Sequence, residues 1–219
     1  MKTKLFTIAM TAALMLTAMT KVQAQNFDGP CLPPSHGLDG HQSAFCGVMQ
    51  MIALASGTNW VSFNVEITLD DLKAALVAAV PGTEIVIKSK DLTATYKPTT
   101  GRWTGRLTAL DLAQMYRVNV AEGCEVTLEG MPVDPADHPF IVVSGANWIG
   151  FPLRESLTLT NAFAGFAVQN DVIKSKDGTS QYKNGRWMGN QLTTLEPGKG
   201  YKYISTDSSD RTLVFPSSK

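Results

Sequence analysis

The sequence predicts an α+β protein of two tandem small modules, each with one helix packed on a mostly antiparallel sheet. Two observations point there. The first is a set of short blocks that occurs twice. Asn59-Trp60-Val61-Ser62-Phe63 returns as Asn147-Trp148-Ile149-Gly150-Phe151, and Ile87-Lys88-Ser89-Lys90-Asp91 returns as Ile173-Lys174-Ser175-Lys176-Asp177. Gly101-Arg102-Trp103-Thr104-Gly105 likewise returns as Gly185-Arg186-Trp187-Met188-Gly189. Matched residues stand 88 positions apart at Asn59 and Asn147 and 84 apart at Gly101 and Gly185, so short insertions separate the blocks of a duplicated module. The second observation is the order inside each copy: a strand-period stretch, a helix-period stretch, a hairpin and further strands, the pattern of an α+β unit.

The chain opens on Met1-Lys2-Thr3-Lys4, a positive start, followed by a mostly apolar run over 5–19. Val22 and Ala24 then stand at the two positions a signal peptidase reads. Residues 1–24 therefore read as a signal peptide, and the expected location is outside the cytoplasm: periplasm, cell surface or secreted. The apolar run is too short and too interrupted by Thr to cross a bilayer, so no membrane span is expected in the mature chain. Losing this leader removes three of the 19 basic residues and none of the 19 acidic ones. A mildly acidic product has no general attraction for nucleic acid, which is excluded as a partner. With 44% hydrophobic and 17% charged residues the composition is globular rather than disordered.

Residues 25–57 form a lead-in that matches neither copy. Pro30, Pro33, Pro34, Gly37 and Gly40 make its first half a loop or an extended segment. Cys31, His36, His41 and Cys46 recur there at every fifth position, so zinc has to be weighed. Structural zinc sites pair ligands two to four residues apart across a tight turn, and exported cysteines usually oxidise. No metal and no other cofactor is expected. The three cysteines permit one disulfide and leave one thiol over; Cys31 with Cys46 is the local pairing and Cys46 with Cys124 the alternative. Residues 45–54 are apolar and read as a strand.

The first module spans 58–135 and the second 136–219, meeting in the Asp- and Pro-rich stretch 133–139. In the first, residues 60–65 alternate, with Val61, Phe63 and Val65 on one face and Trp60, Ser62 and Asn64 on the other. Thr68 caps a helix, with Asp71 as the capping acid, Leu69, Leu72, Leu76 and Val80 as the apolar stripe, and Pro81-Gly82 as the stop. Further strands are expected over 84–90, 114–121 and 125–129, with a hairpin at 98–101. The second copy repeats this order with a poorer helix over 158–166.

Nothing in the sequence assembles a catalytic site. Three histidines fall outside the repeated blocks, no G-x-S-x-G elbow occurs, and Pro197-Gly198-Lys199-Gly200 lacks the rest of a phosphate loop. The repeated carboxylates are Asp91 with Asp177 and Asp111 with Glu196, and no spacing brings them together. The chain is expected not to be an enzyme. The hairpins are more informative. Asn184-Gly185 is a two-residue turn that pairs Lys183 with Arg186 and Tyr182 with Trp187. The longer loop of the first copy pairs Lys97 with Arg102 and Tyr96 with Trp103. With Lys88 and Lys174 these ten residues are the candidate binding set, an aromatic and basic hairpin surface suited to an acidic glycan. The competing reading places the aromatics in the core and the cations in solvent.

Taken as a set, N-W-[VI]-x-F, I-K-S-K, G-R-W-x-G and L-T-x-L-x-P-G-K-G-Y resemble a duplicated module of secreted and surface proteins of Bacteroidetes, over about residues 45–213. The first copy departs from the P-G-K-G part. The resemblance implies a non-catalytic extracellular module, which fits an exported structural or adhesive surface protein; the alternative is a glycan-binding module. The expected partners are an acidic glycan or another surface protein.

Overall fold

A computed structural model describes residues 26–27 and 47–216. The leader and the Cys31, His36, His41 and Cys46 cluster lie outside the described residues. The strands of the first half are β1 (Asn26–Phe27), β2 (Val48–Leu54), β3 (Gly57–Val61), β4 (Ile85–Lys88), β5 (Thr93–Lys97), β6 (Arg102–Gly105), β7 (Tyr116–Val120) and β8 (Cys124–Gly130). Between β3 and β4 lies the helix α1 (Leu69–Ala79). The second half holds β9 (Phe140–Val142), β10 (Gly145–Ile149), β11 (Leu157–Thr158), the short helix α2 (Leu159–Ala162), β12 (Val172–Lys174) and β13 (Thr179–Lys183). It closes with β14 (Arg186–Asn190), β15 (Thr194–Leu195), β16 (Tyr201–Ser205) and β17 (Arg211–Leu213). The described residues are α+β, mostly antiparallel sheet with two helices.

Two five-stranded sheets repeat one order, β3-β7-β4-β5-β6 and β10-β16-β12-β13-β14. A second layer closes each core. In the first half it is the sheet β1-β2-β8 with α1, and Leu69, Leu72 and Leu76 of α1 join Val48, Ile52, Leu54, Val126 and Leu128 against the inner face of the large sheet. The lead-in thus supplies core strand β2 to the first half. In the second half the pairs β9–β17 and β11–β15 and the short α2 do the same around Phe151, Phe163, Tyr203 and Phe215.

Helix α1 begins where expected. Thr68 accepts a bond from the Asp71 N–H, and the Asp71 carboxylate accepts one from the Thr68 N–H, a complete capping box. The helix expected over 158–166 is only four residues long. Thr158 caps it without an acid at the third position, and Gly165 at φ +69° turns the chain away.

The repeated blocks do repeated local jobs. The Asn59 side chain accepts from the Ala55 N–H at 3.0 Å and donates to Ala55 O at 2.7 Å, and Asn147 clips Val143 in the same way. Ser89 and Ser175 each close the turn after their strand by accepting a backbone N–H, from Leu92 and Gly178. Gly105 and Gly189 end the G-R-W-x-G blocks because a Cβ there would lie 2.1 and 2.2 Å from the Thr93 and Thr179 carbonyl oxygens. Tyr116 and Tyr201 each accept the backbone N–H five residues upstream, from Asp111 and Glu196, at 2.7 Å. Burial pushes the Tyr116 hydroxyl up to about 12.

One network belongs to the second half alone. The Asp171 carboxylate, fully buried, accepts from Tyr203 Oη, the Thr206 and Val168 N–H groups and Arg211. Burial raises its pKa, but these donors outweigh burial and hold the carboxyl below the usual carboxylate range. A depressed carboxylate stabilises the fold fully above its unfolded pKa of about 3.9 and less as pH falls through the folded value.

Two measurements test this architecture. Urea denaturation of Leu72→Ala is expected to show a loss of about 2–5 kcal/mol; a loss under about 1 kcal/mol would show α1 to be peripheral. Melting profiles between pH 7 and 2 should fall more steeply below about pH 4 for the native chain than for Asp171→Asn, which starts less stable. Parallel profiles would remove Asp171 from the acid response.

Candidate functional site

The edges of the two large sheets are joined by reciprocal bonds. Gly200 N–H donates to Trp60 O at 3.1 Å, and Met115 N–H donates to Trp148 O at 3.2 Å. Ser62 N–H donates to Gly198 O at 3.1 Å, and Gly150 N–H to Ala113 O at 2.7 Å. Each edge strand, β3 or β10, is met by the turn that precedes the strand next to the edge in the other half, β16 or β7. Exchange of equivalent contacts marks an approximate two-fold relation between the halves. Ser62 and Asn64, expected on a polar strand face, are buried here: Ser62 Oγ donates to Lys199 O at 2.7 Å, and Asn64 Nδ2 to Leu153 O at 3.5 Å.

On this approximate axis Met115 and Gly200 occupy matched positions and meet. A Cβ on Gly200 would lie 2.2 Å from Met115 Cγ, so only one of the two can be large. That accounts for glycine at position 200 of the second copy where the first has Met115.

Above the junction sit four matched side chains. Trp60 is opposite Arg117 across β3 and β7, and Trp148 is opposite Lys202 across β10 and β16. The Arg117 guanidinium carbon lies 5.2 Å from the Trp60 ring centroid and 4.5 Å from that of Trp148. Lys202 Nζ lies 5.2 and 5.6 Å from the same rings. Both cations therefore lie against both tryptophans. One strand further in, Lys88 is opposite Arg117 and Lys174 opposite Lys202.

Register fixes what shares this face. Through the ladders it takes in Lys97 with Arg102 in the first half and Lys183 with Arg186 in the second. At paired positions of the ten strands the outward face therefore carries Lys88, Lys97, Arg102, Arg117, Lys174, Lys183, Arg186 and Lys202, and no carboxylate. Only Lys97 of the eight has an acid partner among the described residues, Glu84 just beyond the strand end.

The ten residues proposed from sequence do not form one surface. Tyr96 and Trp103, centroids 5.4 Å apart, pack on the first core. Trp187 packs on the second, 5.4 Å from Phe163, with Tyr182 beside it at 5.3 Å. The six cations, Lys88, Lys97, Arg102, Lys174, Lys183 and Arg186, point the other way and are exposed. Neighbours along a strand face opposite sides of its sheet, so adjacent aromatic and basic pairs cannot share a side. The aromatics that do accompany the cations are Trp60 and Trp148. Sequence reasoning missed Arg117 and Lys202; their signal was a basic residue after the matched tyrosines, Tyr116 and Tyr201.

Of the repeated carboxylates, Asp111 and Glu196 have local partners. Asp111 accepts from the Ala113 N–H and from Gln114, and Glu196 pairs with Lys199 at 2.9 Å. His138 meets Glu66 at 2.8 Å. Cys124 is a free, half-buried thiol whose pKa burial raises. Among the described residues no group of three or more His, Cys, Asp or Glu side chains is placed to hold a metal ion, and no helix is long and apolar enough to cross a membrane. Neither a protein-family model, nor a curated protein, nor a solved structure matches the chain.

The junction contact yields a double-variant test. Gly200→Ala is expected to lose about 1–3 kcal/mol by overpacking against Met115. With Met115→Ala added, the combined loss should be smaller than the sum of the two single losses. Strict additivity in urea denaturation would show that the two residues do not meet.

Proposed function

We propose that this chain is an exported, non-catalytic surface protein whose two modules act as one adhesive body, holding acidic glycan on the outward face of its sheets. The observation that carries the reading is the composition of that face: eight cations at paired strand positions and no carboxylate. Export is supported by the leader pattern and by the resemblance of the repeated blocks to modules of secreted and surface proteins. A non-catalytic role is supported by the matched pair Asp111 and Glu196, which is engaged in a turn and an ion pair. The glycan reading is favoured over a purely structural one because seven of the eight matched cations have no acid partner among the described residues.

Titration of the purified protein with a sulfated polysaccharide, a polyuronate and a neutral glucan tests this. Binding is expected to the two acidic polymers, weakening as salt rises because exposed charges are screened beyond about 8–10 Å, with polymer length unchanged. Equal binding to the neutral glucan would sink the reading, and so would release of new reducing ends.

A further inference from the structure

We infer that Arg117 and Lys202 form a seat for a single oxyanion, a sulfate ester or carboxylate of an acidic polysaccharide, at the line where the two sheets meet, with Lys88 and Lys174 on its flanks. The inference rests on the glycan reading for the polymer that carries the anion, and on the junction geometry for the seat.

Four positive side chains are brought together here without a carboxylate among the described residues. Lys88 directly faces Arg117, and Lys174 directly faces Lys202. Like charges opposite one another destabilise a sheet. The Arg117 Nε is buried and has no hydrogen-bond partner among the described residues. Burial, then the charges of Arg117 and Lys174, depress the Lys202 pKa. The repulsion among these like charges is relieved by one anion within reach of both cations.

The tryptophans explain how the arrangement persists before a ligand arrives. A cation over an indole face gains about 0.5–2 kcal/mol, and here each cation touches two. The rings thereby fix the two charged heads side by side and occupy their own faces in doing so. Trp60 and Trp148 are not free to stack on a sugar, so the contact with ligand is ionic. A planar guanidinium offers two parallel donors and the ammonium a third, a set suited to a tetrahedral or planar oxyanion.

The same facts argue for a polysaccharide over other polyanions. Single-stranded nucleic acid is held by stacking on open aromatic faces, and these faces are taken. Without the leader the chain is mildly acidic, so attraction for a polyanion is confined to this face. Flat sheet with spaced cations suits a linear chain with charges at intervals.

The test uses inorganic sulfate as probe, at constant ionic strength, with tryptophan emission as readout. The native protein is expected to show a saturable change, lost in Arg117→Gln/Lys202→Gln and kept in Lys73→Gln on α1. Affinity for a sulfated polysaccharide should fall about tenfold or more in the double variant, and by less in Arg117→Lys, which keeps the charge and loses the paired donors. No saturable sulfate response in the native protein overturns the seat, whether or not any variant folds. Undiminished polysaccharide binding by a folded double variant also overturns it and leaves the adhesive reading standing. A saturable sulfate response without binding to any acidic polysaccharide keeps the oxyanion seat and overturns the glycan as its source. Tighter binding to single-stranded DNA or to phosphatidylglycerol vesicles than to the polysaccharides overturns the assignment of the polymer.

Discussion

The outward surface of this protein depends on a backbone exchange. The carbonyls of Trp60 and Trp148 each accept an N–H from the opposite half, from Gly200 and Met115. Both acceptors stand on edge strands, which otherwise expose unpaired N–H and C=O groups and invite pairing with another chain. Closing each edge with the turn of the other half removes that hazard. It also sets the angle and register at which the two sheets meet. The neighbouring side chains follow from it: Trp60 and Trp148 are brought to one place, and Arg117 and Lys202 are drawn over both rings.

An approximate two-fold axis imposes its own asymmetry. Residues near the axis meet their own equivalents, and two large equivalents cannot share one space. Met115 therefore requires Gly200. Ser62 and Gly150, also matched, differ because their surroundings differ. Ser62 donates across the junction at 2.7 Å, whereas a Cβ on Gly150 would come within 2.8 Å of Gln114 O. The two copies therefore differ in residue size where they touch each other. Away from the junction they keep the same Asn clip, the same Ser turn and the same close-packed Gly.

This division explains what the sequence revealed. Helix α1 was readable because its cap, stripe and stop are local: Thr68, Asp71, the leucines and Pro81-Gly82 all lie within one short span. The hairpin pairs were readable because turn length fixes register. The failure came one step later, when the aromatic and basic pairs of a hairpin were placed on one surface although strand alternation separates them. Helix α2 was overestimated because Leu159, Phe163 and Phe166 fit a helical period, while Gly165 lets the chain turn after four residues. Arg117 and Lys202 were invisible as site residues, since their place depends on which strand pairs with β3 and β10 and on how the halves dock. Neither is written in local pattern.

The fold also sorts charge by layer. The first core lies between its large sheet and the layer of β2, β8 and α1, so the outward faces of these layers point in opposite directions. Asp70 and Asp71 on α1 and Glu125 and Glu129 on β8 are exposed on one side; Lys88, Lys97, Arg102 and Arg117 belong to the other. A chain with equal numbers of acidic and basic residues thereby acquires a basic side and an acidic side. Such a molecule has no net drift toward an anionic surface, yet near one it is turned by the field so that the large sheets face it. Screening limits that torque to distances of about 8–10 Å at ordinary salt, so it acts on encounter rather than on approach. Once the basic side is presented, the junction pair is the point of highest positive charge that the fold has already held in place.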